Sequence, residues 1–130
     1  MITNKILYNH IILNAKLNNT IIKCIVDTGA NSSYINKNKI DEFLNKNIKC
    51  YDTYVHGFND KHKINSILYD VYININDMNL KTNLLIIDKL DNKIFDAVIG
   101  LDFIKKHNIL IDYCNNALVF GNNNDTVILF

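Results

Sequence analysis

The stretch Ile21-Ile22-Lys23-Cys24-Ile25-Val26-Asp27-Thr28-Gly29-Ala30-Asn31-Ser32-Ser33 decides how the rest of this chain is read. An apolar run rich in β-branched residues ends abruptly at Asp-Thr-Gly and passes into small polar residues. Branched side chains suit a pleated, buried surface, so the run predicts a buried strand. Gly29 allows a tight turn that a Cβ would resist. Asp27 therefore sits where a core strand ends, held by the scaffold but aimed out of it. The same tripeptide also reads as a plain turn, because short polar side chains bond to nearby backbone and Gly supplies positive φ. Two features favour a site over a turn. One is the apolar strand before it; the other is a second apolar-apolar-Gly element, Val98-Ile99-Gly100, far downstream.

The 130 residues predict one domain, 1–130, large enough to bury a core without disulfide staples. The formal net charge is +1, and all 14 basic residues are Lys. Without Arg, the bidentate contacts used for phosphates and bases are missing, so no nucleic-acid partner is expected. Asn and Ile supply 45 of the 130 residues, spread evenly. Their codons, like those of Lys, are AT-rich, and the abundance reads as genome bias. Cys24, Cys50 and Cys114 are odd in number and have no metal-ligand spacing. They predict reduced thiols in a cytosol-like compartment, with Cys24 packed as a small core residue. His10, His56, His62 and His107 lack ligand spacing and read as surface or hairpin residues, so neither a metal nor a cofactor is expected. No apolar run approaches the roughly 20 residues that span a bilayer. Met1 to Leu7 lacks the apolar segment of a signal peptide. The expectation is a cytoplasmic protein, not secreted and without a membrane partner. Pro is absent, leaving the four Gly as the expected turn-makers.

Along the chain, Ile6 to Leu17 predicts one or two strands and a turn at Asn18-Asn19 leads into Thr20 to Val26. Ser33 to Ile35 predicts a short strand. Lys37 to Lys46, with Ile40, Phe43 and Leu44 at helical spacing, predicts a short amphipathic helix. Thr53 to His56 and Lys63 to Ile75 predict strands joined across Gly57-Phe58-Asn59-Asp60. Within the second, Tyr69, Val71, Ile73 and Ile75 alternate with Asp70, Tyr72, Asn74 and Asn76. Leu80 to Ile87 and Phe95 to Gly100 follow as strands, then Leu101 to His107 as a short helix. Leu110 to Tyr113 and Ala117 to Phe120 predict a hairpin, and Thr126 to Phe130 a last apolar strand. The sum is a mostly-β domain with one or two short helices, a small closed barrel or sandwich.

Asp27-Thr28-Gly29-Ala30, together with Asp96-Ala97-Val98-Ile99-Gly100-Leu101-Asp102-Phe103-Ile104, resembles the retropepsin-like (retroviral and retrotransposon-type) aspartic protease family over roughly residues 20 to 120. The resemblance implies that Asp27 is catalytic, that Thr28 ties two loops together across a dimer axis, and that Gly29 and Ala30 line the cleft floor. It implies that Ile99 and Gly100 support the loop from behind. It also implies that His56, Gly57, Phe58 and Asn59 form a flap over the substrate. Asn31 stands where retroviral enzymes have an Asp paired with an Arg, an ion pair this chain cannot make. Leu101-Asp102 is instead similar to gypsy-type and plant pararetrovirus enzymes, where Asp102 would either bond backbone near Asn31 or cap its helix, the second being expected.

The chemistry adds one requirement. Aspartic proteolysis uses two carboxylates sharing one proton, and only one Asp-Thr-Gly occurs here. Each chain then carries half a site, and a homodimer is required. The implied activity is hydrolysis of extended polypeptide segments, as in viral or retrotransposon polyprotein processing in the cytoplasm or a virus-like particle. Two rivals stand beside it. One is a catalytically silent dimerisation or peptide-binding module with the same fold. The other is a β-barrel binder of single-stranded nucleic acid, which needs a basic, aromatic groove that the balanced charge does not supply. In retroviral relatives the chain termini interleave into a dimer sheet, which would cover the apolar strand Val127 to Phe130.

Overall fold

In the computed structural model the backbone is described for residues 5–7, 10–56, 61–88 and 95–130, and side chains for 10–50, 66–88 and 95–130. The strands are β1 (Lys5–Leu7), β2 (His10–Leu17), β3 (Thr20–Val26), β4 (Tyr34–Asn36), β5 (Ile48–His56), β6 (Lys61–Ile75), β7 (Met78–Ile87) and β8 (Ala97–Ile99). Helix α1 (Leu101–Lys106) follows, then β9 (Ile109–Asp112), β10 (Ala117–Phe120) and β11 (Thr126–Leu129). The first eight strands form one sheet in the order β1-β2-β3-β8-β4-β7-β6-β5. A further pairing of β2 with β6, at Lys16↔Asn74 and Leu17↔Ile73, closes six of them into a barrel. The last three strands make a separate antiparallel sheet, β11-β10-β9. The fold is mostly β, as expected.

The centre of the barrel explains why the Ile21–Val26 run does not alternate. Ile22, Cys24 and Val26 face the main core, while Ile25 joins a smaller cluster with Ile12, Ala30, Tyr34, Ile87, Phe95 and Val98. Covered on both faces from Cys24 to Val26, β3 carries apolar residues at successive positions there, while Ile21 earlier in the strand is exposed. Up to Leu84, β7 has cover on one face only and does alternate, with Met78, Leu80, Thr82 and Leu84 buried. β8 runs parallel to β3 and antiparallel to β4, and so lies between them. The chain leaving β3 must cross the end of β8 to reach β4. That crossing is Asp27 to Ser33.

Three expectations need correction. Lys37 to Lys46 is not one helix but two short 3₁₀ turns, Lys37–Lys39 and Glu42–Asn47. Ile40 and Asp41 between them are extended, with ψ of 118° and 170°. Asn and Asp compete for the backbone in non-helical conformations, and so short a helix is marginal in any case. Asp41 is used elsewhere, accepting a hydrogen bond from Asn18 Nδ2 at 2.8 Å. Ile40 and Leu44 still pack on the core, but Phe43 is exposed.

The period of two in β6 begins only at Val71. Leu68 and Val71 are both buried, although three residues apart, because the register against β7 shifts between them. Asp70 takes φ of 54° at this bulge and donates its N–H to Asn83 Oδ1. The bulge bends β6 so that one end pairs with β5 and the other closes the barrel on β2.

Glycine is not the turn-maker among the described residues. None of the described Gly has positive φ, whereas Asn18, Asp70, Asn76, Asp77, Asn108, Asn116, Asn124 and Asp125 do. Asn and Asp tolerate left-handed backbone because their short side chains bond locally.

Candidate active site

Asp27 follows the last residue of β3, and its N–H donates to Ile99 O at 2.9 Å, extending the ladder with β8 by one rung. The chain then tightens: Ala30 N–H donates to Asp27 O at 3.2 Å, and Gly29 N–H donates to Asp27 Oδ1 at 2.9 Å. A Cβ on Gly29 would lie 3.1 Å from that same oxygen. Gly29 thus serves here by leaving room for the carboxylate rather than by a positive φ. Asp27 is half-buried, Thr28 and Gly29 are exposed, and Ala30 is buried, its methyl packed under the loop in the smaller cluster. One carboxylate oriented by a backbone amide is thereby presented at the barrel surface.

The loop is held from behind by the β8–α1 junction. A Cβ on Gly100 would come within 2.6 Å of Ser32 O and 2.7 Å of Ala30 O, so the backbones pack where no side chain fits. Leu101 N–H donates to Ala30 O at 2.8 Å and Asp102 N–H to Asn31 O at 3.2 Å. The first N–H groups of a helix lack partners within it, and here carbonyls of the Asp27 loop supply them. Asp102 does not occupy the N-cap, which is Gly100. Its carboxylate instead reaches Ser33, accepting from the amide at 3.0 Å and the hydroxyl at 2.6 Å, and also accepts from Phe103 N–H at 2.7 Å. The expected capping role is therefore not observed, and the alternative, a bond to the loop close to Asn31, is. Ser33, expected only as the start of a short strand, carries no signal of this role in the sequence, because the role exists only once α1 is packed against it.

Other residues sit as follows. Asp96 pins β8 by accepting from Lys23 N–H at 2.8 Å. His56 ends β5 and pairs with Lys61, while its side chain and Gly57, Phe58 and Asn59, the expected flap, lie outside the described residues. Among the described residues no three His, Cys, Asp or Glu side chains gather as a metal site would require.

Residues 3–112 match the model of a family described as aspartyl protease. The chain belongs to the aspartyl protease family. Among solved structures it is similar to the crystal structure of the retroviral protease-like domain of Ddi1 from Leishmania major. The two share 23% identity over 92% of this chain and 90% of that one, with a TM-score of 0.65. It is also similar to the EIAV protease complexed with the inhibitor HBY-793, at 20% identity over 77% of this chain and 89% of that one, TM-score 0.57. No curated protein matches the sequence. The fold of this aspartyl protease chain is thus retropepsin-like, and its barrel places one Asp-Thr-Gly loop per chain.

His107, expected at the surface, is buried at the end of α1, 4.5 Å from the Phe103 ring centre, with Nε2 2.9 Å from Lys81 O. A carbonyl only accepts, so Nε2 carries the proton. Burial lowers the His107 pKa from 6.5; the bond to Lys81 O opposes this, and Lys106 adds to it. A folded pKa below the unfolded value means that the unfolded chain binds the proton first as pH falls. The contribution of His107 to stability is accordingly full above about pH 6.5 and is lost as pH falls through the lowered value. Urea unfolding at pH 7.5 and 5.5 should show a loss of stability on acidification, and His107→Gln should shrink that loss. An unchanged difference would remove His107 as its source.

Proposed function

We propose that the chain is a retropepsin-type aspartic endopeptidase, active as a homodimer in which each copy supplies Asp27. The observation that carries this reading is the single half-buried Asp27 carboxylate, oriented by Gly29 N–H on a loop anchored to the β8–α1 junction. Two such groups facing each other across a twofold axis cannot both ionise, so one proton is shared between them. The ionised member takes a proton from water, and the protonated member donates to the scissile carbonyl. Water attacks directly, so no covalent intermediate forms.

The substrate would be an extended, mostly apolar polypeptide segment laid as a strand beneath the β5–β6 hairpin. A polyprotein of a retroelement or virus, processed in the cytoplasm or in a virus-like particle, fits that requirement. The terminal sheet supports the dimer. Leu110, Val119 and Val127 are cross-strand neighbours, and Leu110, Val127 and Leu129 are 62%, 52% and 69% exposed. A second copy would cover this outward apolar face. Leu129→Lys, which disturbs no core contact, is expected to raise the dimer dissociation constant about tenfold or more. Sedimentation velocity over a dilution series reads it, and an unmoved constant would place the dimer contact elsewhere.

The test of the function is cleavage of a diverse peptide library between pH 4 and 7 by a chain whose oligomeric state is measured in the same buffer. Acid-favoured cleavage whose specific activity rises with the dimer fraction supports the endopeptidase. A folded, confirmed dimer that cleaves nothing supports the silent peptide-binding module instead.

A further inference from the structure

We infer that Ser33 and Asp102 are positioning residues for Asp27, setting the distance between the two carboxylates of the active pair. The inference rests on the endopeptidase reading above. Ser33 is 1% exposed and uses every polar group it has. Its N–H and hydroxyl donate to the two oxygens of Asp102, its hydroxyl oxygen accepts from Gly100 N–H at 2.8 Å, and its carbonyl accepts from Leu85 N–H at 3.0 Å. One residue thus joins the loop to β7 through its backbone carbonyl, and to the β8–α1 junction and α1 through its hydroxyl. At its other end the loop is held by Asp27 N–H on Ile99 O. Asp27 and Ser33 hold the two ends of the crossing, Leu101 N–H and Asp102 N–H hold its middle at Ala30 O and Asn31 O, and the Gly29 amide that orients the carboxylate lies between these anchors.

Hydrogen bonds to an ionised carboxylate are roughly twice as strong as neutral ones. Ser33→Ala removes the donor at 2.6 Å and leaves the buried Gly100 N–H without its acceptor. The Ser33 end of the loop can then relax away from α1, which keeps its backbone bonds to Ala30 O and Asn31 O. In a homodimer both copies relax, so any displacement along the line joining the carboxylates enters their separation twice. Proton sharing depends steeply on that separation, while the pairing of substrate backbone does not. The change should therefore fall on kcat rather than on KM.

The experiment measures kcat and KM for wild type, Ser33→Ala and Asp102→Asn, per active site titrated with a peptide carrying a hydroxyl transition-state isostere. Amide hydrogen exchange of Gly29 and Ala30 is followed on the same samples. Both substitutions should lower kcat per titrated site about tenfold or more, leave KM within about twofold, and speed exchange at those two amides. A purely structural role would lower the number of titratable sites but not kcat per site. Unchanged kcat per site together with unchanged exchange, in a folded variant, overturns the inference. If Ser33→Ala does not fold, Asp102→Asn, which keeps the shape and one acceptor, is judged by the same results. If the wild-type protein shows no Asp27-dependent cleavage, the endopeptidase reading fails, and loop exchange alone decides the positioning role.

Discussion

Asp27→Asn is expected to abolish peptide cleavage, with rates falling on the order of 10³-fold or more, while the protein remains folded and dimeric. An amide is neither the base that takes a proton from water nor the acid that protonates the carbonyl. In a homodimer one substitution removes both groups at once. The fold should tolerate it, because Asn retains an oxygen for the Gly29 N–H that Asp27 Oδ1 now accepts at 2.9 Å. Asp27 is also only half-buried, so no core contact is lost. The dimer should hold at least as well, since two neutral amides replace a pair that must share a proton to approach. Cleavage and sedimentation on matched samples read both halves of the expectation. Residual cleavage near the wild-type rate would move the chemistry away from Asp27.

Gly100→Ala is expected to be the most damaging methyl group that can be added to the described part of this chain's active-site support. The new Cβ would meet Ser32 O at 2.6 Å, Ala30 O at 2.7 Å and Ser32 C at 2.8 Å, all of them backbone. Backbone cannot rotate aside, so the Asp27 loop and the start of α1 must separate. That would stretch the bonds from Leu101 N–H and from Gly100 N–H to the loop. Overpacking of this kind costs about 1–3 kcal/mol, and lost hydrogen bonds add to it. For a domain of this size the melting temperature should fall by about 5–15 °C, and activity should vanish in what still folds. Gly29→Ala provides the comparison. Its Cβ would meet only a carboxylate oxygen at 3.1 Å, which a side-chain rotation can relieve. Gly29→Ala should therefore melt nearer to wild type. Equal melting temperatures for the two variants would mean that the tight packing behind the loop is not what makes Gly100 necessary.

Much of the barrel was legible because burial leaves a period in the residues. The alternation of Val71, Ile73 and Ile75 with polar residues marks a strand covered on one face, and the successive apolar residues Cys24–Val26 mark one covered on both. Where the reading failed, a competing local preference or a distant partner had intervened. Lys37 to Lys46 has helical spacing, but its Asn and Asp residues favour non-helical backbone and its Asp41 is engaged by Asn18. The alternation predicted from Tyr69 broke at a bulge that depends on Asn83 of the neighbouring strand. His107 looks like a surface residue until α1 lies against β7.

Asparagine shows the limit of composition as evidence. Its abundance was read as genome bias, yet Asn18, Asn76, Asn108, Asn116 and Asn124 hold left-handed turns that glycine would otherwise fill. The bias supplied the residue, and the fold uses its tolerance for that backbone.

By itself the sequence determined that a carboxylate stands at the end of a core strand, because the apolar run, the Asp and the Gly are contiguous and their preferences are local. It also determined that each chain brings one such carboxylate, since a single Asp-Thr-Gly occurs. Only the tertiary structure decided what holds that carboxylate in place. Ser33 and Asp102 lie 69 residues apart, Ser33 and Gly100 lie 67 apart, and neither spacing carries a pattern. Their hydrogen bonds exist because β8 is inserted between β3 and β4, a pairing between distant segments that no local preference encodes.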